Sequence, residues 1–325
     1  MRQLLCYNSF INCTENLCEA HFGERQCVSD VLPETHISEP LEMCSKFSAQ
    51  KQNCYIAVFG VNSMTCEIKF IPCEWDKIHP LVAEYVIGNN ITVDSFWEDH
   101  VLKSKHYKMM YQDVMAGYFA IHKGSTIVLF NVFPLYANQA QELFARVKKY
   151  ESVKNAMVVT GDEFFISHCF DNFSRIEKQA YFSIYTDKKI PKGRQLEIGL
   201  KLADIDKDHD ILKLSGDFFD GIITEIRDGC DHLEVYIAEH NGNIVGFGVI
   251  DWGRVIKDIA SIGMYVCEQY RRQGLGANLL QALKQLSVDK GYRVFSGCGY
   301  YNHNSKKTME SAGAYSKTRL MRFYF

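Results

Sequence analysis

The segment Arg271-Arg272-Gln273-Gly274-Leu275-Gly276 constrains this chain more than any other. It follows an apolar run at 259–266 that reads as a strand, and it precedes 277–288, where Leu279, Leu280, Leu283 and Leu286 recur at helical spacing. A strand that ends in a short glycine-bearing loop and opens straight into a helix points successive backbone N–H groups, and the positive end of the helix dipole, at one place. The ligand suited to that place is a phosphate. Glycine at 274 and 276 lets the backbone come close to such an anion. A bare pair of glycines says little, whereas two arginines ahead of them, between a strand and an amphipathic helix, form a specific pattern.

The surroundings of this segment set the fold class. A polar stretch at 186–194, interrupted by Pro191 and Gly193, separates two regions of strand-like patterning and divides the 325 residues into 1–190 and 191–325. Downstream, strands are expected at 196–202, 233–239, 244–252, 259–266, 292–296 and 318–325. His240-Asn241-Gly242-Asn243 makes a hairpin turn whose Asn and Gly tolerate positive φ. Helical material is expected at 211–226, 277–288 and 305–311. Upstream, a strand at 126–133 precedes a helix at 139–150 with Leu143, Phe144, Val147 and Tyr150 on one face, and then a strand at 156–160. Paired strands beginning at 126 and 156, and at 262 and 292, share a 30-residue interval. That interval suggests a divergent structural duplication. Residues 1–60 fit neither copy, and the register before 116 is not readable. The order is α+β (mixed α/β), a sheet carrying a few helices in each half.

The Arg271, Gly274 and Gly276 positions resemble the acyl-CoA loop of the GNAT superfamily of N-acetyltransferases, and the resemblance extends over about 195–325. A second, looser family pattern is similar to Asn302, Ser305, Met309 and Gly313. The resemblance implies tandem GNAT-like domains, each a central, mostly antiparallel twisted sheet flanked by helices. In it, 1–190 is a degenerate domain with an N-terminal extension and 191–325 is the catalytic one. It implies acetyl-CoA or another acyl-CoA as cofactor. The amides of Arg272, Gln273, Gly274, Leu275, Gly276 and Ala277 would hold the pyrophosphate, with Arg271 adding charge. Met264, Tyr265 and Val266 would offer strand backbone to the pantetheine arm, the Val266 amide polarising the thioester carbonyl. Asn302 and Ser305 would contact the same arm. Transfer to a primary amine of a small molecule or protein then proceeds by direct attack in a ternary complex.

Two departures from the family pattern leave the proton-transfer groups open. Met309 stands where tyrosine commonly protonates the departing thiolate, so Tyr300 and Tyr315 become the candidates, with Tyr301 beside them. Ala260 stands where a base is usual, and Asp258, two residues earlier on the same strand face, is the candidate water-mediated base; Asp251 ends the preceding strand. Between Gly124 and Gly161 there is no glycine, so the upstream passage from Phe133 through Pro134 to Asn138 offers no phosphate loop. The upstream domain is expected to shape the acceptor site or a homodimer surface.

Composition excludes several partners. With 36 basic and 39 acidic side chains the net charge is −3, which gives no general drive toward nucleic acid or anionic lipid. No run of about 18 apolar residues and no signal-peptide order is present, so no membrane partner and a cytoplasmic location are expected. Eight of the twelve cysteines crowd the first 73 residues: Cys6, Cys13, Cys18, Cys27, Cys44, Cys54, Cys66 and Cys73 make no CxxC pair, and reduced, mostly buried thiols are expected. The acidic run Asp204–Asp210 has His209 where a calcium loop needs Gly and Ser215 where it needs Glu, so no metal is expected. Its charge would favour a cationic acceptor.

Overall fold

The computed structural model describes residues 67–208 and 210–325. The first half runs β1 (Ile68–Cys73), α1 (His79–Gly88), α2 (Ser95–Leu102), β2 (Ser104–Tyr111), β3 (Val114–His122), β4 (Thr126–Val132), α3 (Ala140–Lys148), β5 (Asn155–Val159), α4 (Glu163–Phe170) and β6 (Arg175–Tyr185). The second half repeats that order: β7 (Gly199–Leu202), α5 (Asp210–Ser215), α6 (Asp220–Arg227), β8 (Leu233–His240), β9 (Asn243–Trp252), β10 (Ile259–Val266), α7 (Leu275–Asp289), β11 (Arg293–Gly299), α8 (His303–Ser311) and β12 (Ala314–Tyr324). The duplication therefore rests on the order of elements. The 30-residue interval does not carry it, because the strands start at 126 and 155 in one half and at 259 and 293 in the other, intervals of 29 and 34. The helical material expected at 211–226 is two short helices, broken where Gly216 takes φ +59°.

All twelve strands of the described residues join one mostly antiparallel sheet in the order β1-β2-β3-β4-β5-β12-β6-β11-β10-β9-β8-β7. Its centre is an exchange. The last strand of the first half, β6, pairs with β11 of the second half, from Phe295 opposite Ile184 to Gly299 opposite Ala180. The last strand of the second half, β12, pairs with β5 of the first, from Leu320 opposite Val159 to Tyr324 opposite Asn155. β6 and β12 also pair with each other. Each half thus completes the sheet of the other, and β6 is buried at Ala180, Tyr181, Phe182 and Ser183, as a central strand with helices on both faces must be.

The two faces of the sheet carry separate cores. On one face α1 and α2 cover Tyr118, Val128, Met157, Val159, Phe182 and Leu320, and the same cluster reaches Val255, Ile256, Ile259 and Phe295 of the second half. On the other face α7 and α8 pack Leu279, Leu280, Leu283 and Met309 against Tyr181, Ile262, Val294 and Cys298. Helix α2 starts because Asp94 caps it, its Oδ1 accepting the Trp97 N–H at 3.2 Å. One turn on, the fully buried Glu98 accepts the backbone N–H groups of Arg254, Val255 and Ile256 at 2.8–3.0 Å. Burial pushes the Glu98 carboxyl up, and those N–H donors oppose the shift. A buried carboxylate with three amide donors fixes α2 of the first half to the β9–β10 loop of the second.

Candidate functional site

The site is organised by a gap. β10 and β11 run parallel but pair only at Ile259–Arg293, Ala260–Val294 and Ser261–Phe295. Beyond Ser261, β10 keeps its antiparallel pairing with β9 as far as Val266, while β11 turns to β6. Ser296 spans the point of divergence, its Oγ donating to the Ile262 carbonyl at 2.9 Å with the Tyr185 hydroxyl 2.9 Å away. The Ile262 carbonyl therefore faces β11. Side alternation along a strand then turns the N–H groups of Met264 and Val266 into the gap, while Tyr265 turns toward β9. The Val266 carbonyl agrees, since it accepts from Arg271 Nε at 3.2 Å.

At the open end of the gap the chain enters α7 through the glycine loop. Arg272 (φ +65°) and Gly274 (φ +84°) are both left-handed, so consecutive amides turn toward one side. Gly274 is the N-cap of α7 and offers no side-chain acceptor to the first turn. The amides that a Ser or Asp would cap stay available to an anion. Asn278, buried, braces the loop: it donates to the Gly274 and Arg194 carbonyls at 3.0 and 3.2 Å and accepts from the Leu196 N–H at 2.9 Å. Gly276 lies where three elements converge. A Cβ there would stand 3.1 Å from Thr308 Cγ2, 3.3 Å from Val266 Cγ2 and 3.4 Å from Met264 Cε. Gln273 and the two arginines are exposed, Arg271 lying over the Tyr265 ring at 5.7 Å.

At the closed end lies a cavity of about 40 Å³ between the diverging strands, lined by Asp94, Phe96, Phe182, Ser261, Gly297 and Cys298 among others. Its roof comes from the first half. The Ser95 N–H donates to Ser261 Oγ at 2.9 Å, and a side chain at Gly297 would overlap Asp94 Oδ2. Asp94 is 5% exposed, and burial raises its carboxyl to about 7, with Glu98 and Asp251 adding to the rise. Cys298 is buried and its thiol is pushed up to about 12; burial likewise raises Cys267. Neither is a thiolate nucleophile.

The candidates from the sequence fall in different places. Met264, Val266, the loop 271–277 and Thr308 of α8 meet around the gap, while Asn302 caps α8 by accepting the Ser305 N–H at 3.1 Å. Tyr300 directly follows β11 and stacks on Tyr181 at 4.6 Å. A hydrogen bond from Tyr181, then the Lys178 charge, lower its phenol. Tyr300 shares the α7–α8 face with Cys298, while Asp94 is on the α1–α2 face, so the two lie on opposite faces of the sheet, and Tyr300 is outside the cavity lining. Met309 is buried in the core. Asp258 is not at the gap: it precedes the paired end of β10, where Arg293 grips it with two hydrogen bonds of 2.7 and 2.8 Å and holds its carboxyl below the usual range. Tyr315 begins β12 opposite Ile184 and is half exposed, outside the cavity lining. Asp94, Ser95 and Phe96 went unnoticed in the sequence. The Asp-Ser-Phe-Trp cap marks a helix start, but nothing in the pattern tells which strands that helix covers.

The first half has the same divergence without the loop. β4 and β5 pair only at Thr126–Asn155 and Ile127–Ala156. The chain then enters α3 through a 3₁₀ turn, Pro134–Gln139, lacking glycine, and Phe130 packs against Phe144 of α3 at 4.8 Å and Phe164 of α4 at 6.0 Å.

Among the described residues no group of His, Cys, Asp and Glu is arranged to hold a metal ion. The acidic run is engaged locally, Asp208 accepting from the Asp204 N–H and Lys201, and Asp204 from Lys207; His209 lies outside the described residues. Cys73, Cys169, Cys230, Cys267 and Cys298 are free thiols, while the other N-terminal cysteines and the segment 1–60 lie outside the described residues. No helix among the described residues is long and apolar enough to cross a membrane.

Comparison with known proteins agrees with this geometry. Residues 74–186 match the model of an acetyltransferase (GNAT) domain and residues 207–314 that of the acetyltransferase (GNAT) family. The fold is similar to a GNAT-family acetyltransferase from Colwellia psychrerythraea, with a TM-score of 0.66 and 19% identity over 80% of this chain and 99% of that one. It is also similar to the glucosamine N-acetyltransferase region of a fungal multi-domain beta-N-acetylglucosaminidase, with a TM-score of 0.52 and 12% identity over 79% of this chain and 38% of that one. No curated protein matches the sequence. With one domain model matched in each half and the strand divergence present in both, the chain belongs to the GNAT acetyltransferase family as two such domains in tandem.

Proposed function

We propose that the protein is an acetyl-CoA-dependent N-acetyltransferase acting on a primary amine of a small molecule or a protein, with transfer in the second half and the first half as its support. One observation carries the reading: the β10–β11 gap opens onto a helix whose N-cap is a left-handed glycine. The first half keeps the gap and lacks the cap. The residues fit the donor, because the first-turn amides of α7 have no side-chain acceptor and a Cβ at 276 would narrow the space between β10 and α8. The bound donor supplies an activated acyl carbonyl and a thiolate leaving group. Loop 271–277 would hold its pyrophosphate, and the N–H groups of Met264 and Val266 would receive the pantetheine arm and polarise the carbonyl. Tyr300, its phenol lowered by Tyr181 and Lys178, would protonate the departing sulfur in the role for which Met309 is unsuited. With Cys267 and Cys298 held as thiols, the amine attacks directly and no acyl-enzyme forms. Free thiols fit a reducing, cytoplasmic setting.

Free-thiol release from acetyl-CoA, measured with a panel of small primary amines and lysine peptides, tests this. Release that depends on both the amine and the enzyme is expected. Saturable acetyl-CoA binding without turnover on any acceptor would contradict it and leave a non-catalytic binding module.

A further inference from the structure

We propose that Asp94, carried by the first half, is the general base of the transfer site in the second half and the anchor for the acceptor's ammonium group. The inference rests on the transfer reading above and adds the residue that prepares the acceptor. Of the residues lining the cavity at the closed end of the gap, Asp94 is the only carboxylate. Its Oδ1 holds the N-terminus of α2, and its Oδ2 lies against Gly297, so close that only glycine leaves it room. Three contacts fix it there from the second half: Ser261 on the Ser95 amide, the β9–β10 loop on Glu98, and the absent side chain of Gly297. The walls beside it, Phe96 and Phe182, are apolar, so an entering cation finds one anionic partner.

The charges around Asp94 set its proton affinity. On its own helix Glu98 stands one turn away. From β9 comes Asp251, whose Oδ1 meets His232 Nδ1 at 2.8 Å. The β9–β10 loop brings Arg254, whose guanidinium is engaged by Asp99, and β11 brings the neutral Cys298. From β6 come Ala180 and Phe182, and from β10 Ser261, none of them charged. Burial together with Glu98 and Asp251 puts the carboxyl at about 7, where a base is half available at neutral pH and its conjugate acid readily gives the proton back. The step balances. The acceptor ammonium gives one proton to the Asp94 carboxylate, and the nitrogen lone pair forms a C–N bond to the thioester carbonyl carbon. The C–S bond breaks with its electron pair on sulfur. The second proton shed by nitrogen ends on that sulfur, relayed by Tyr300, and Asp94 returns its proton to solvent.

Asp94→Asn keeps the helix cap, since an amide oxygen accepts the same N–H. With a primary amine whose own pKa is near 10, kcat/KM of the wild-type chain should rise with pH and level off above about 7, while the variant should lose about 10²–10⁴-fold and keep climbing toward the acceptor's pKa. Acetyl-CoA affinity should stay within about twofold, a change too small to count as a lost contact. Because burial raises this carboxyl, ionisation opposes folding between its unfolded value and about 7. The variant should therefore melt at the same or a higher temperature at pH 8, a gain that fades toward pH 4. A purely structural residue would give the opposite sign. Retained kcat/KM in the variant overturns the proposal. So does a wild-type profile that climbs with unit slope to the acceptor's pKa, a result that needs no variant to fold. Absence of thiol release from the wild-type chain with every amine would instead sink the transfer reading itself.

Discussion

Expressed alone, neither 1–190 nor 191–325 should fold, whereas the full chain cut in the exposed loop at 186–194 should stay together as a folded pair. The exchange of β6 and β12 is the reason. Separation strips β11 of β6 and β5 of β12, exposing two long strand edges and the side chains Tyr181, Phe182, Leu320 and Phe323, all now 8% exposed or less. Burial of one such side chain contributes about 1.5–3 kcal/mol, so the loss approaches about 10 kcal/mol, the size of a whole domain's stability. Glu98 would also lose the three amides that satisfy its buried carboxylate. Size-exclusion chromatography and circular dichroism of a chain carrying a protease site in that loop, before and after cleavage, make the comparison. Two soluble, cooperatively melting halves would contradict the account.

Gly276→Val should abolish acetyl-CoA binding in a protein that remains folded. The added Cβ meets the tips of Thr308, Val266 and Met264 at 3.1–3.4 Å, and the two further methyls must occupy the space between β10 and α8. Overpacking of this kind costs about 1–3 kcal/mol, which a domain stable by about 5–15 kcal/mol survives. Affinity should fall by at least about 100-fold, or about 2.7 kcal/mol. Gly274→Val acts differently, through a β-branched residue forced to φ +84°, and should weaken binding while lowering the melting temperature more. Unchanged affinity in a folded Gly276→Val chain would remove the gap as the donor site.

What was legible in the sequence follows from the range of each signal. The strand at 259–266, the glycine loop and the helix after it are local patterns, and β10 and α7 lie where periodicity put them. For the same reason β4, α3 and β5 of the first half and the order from 196 onward could be followed, whereas α4 was not read. Before 116 the pattern fails because α1 contains Pro80 and carries apolar residues round most of its surface, with Ile87 exposed and Val82 and Val86 buried. The exchange of β6 and β12 was not legible at all. Alternation shows that a segment is a strand, and a strand buried on both faces gives no sign of which neighbours it pairs with. Asp258 and Asp94 show the cost of that blindness. Both are carboxylates near strand or helix ends, but Arg293, met through the parallel pairing of β10 and β11, neutralises Asp258, while the exchange carries Asp94 over Gly297. Chain distance favoured Asp258, and topology favours Asp94.

The central claim is that of two related domains one alone keeps a donor site. Isothermal titration of the full chain with acetyl-CoA tests it most directly. One site per chain is predicted, because α7 opens on Gly274 whereas the turn before α3 offers Pro134 and no glycine. Two equivalent sites per chain, or none, would contradict the claim.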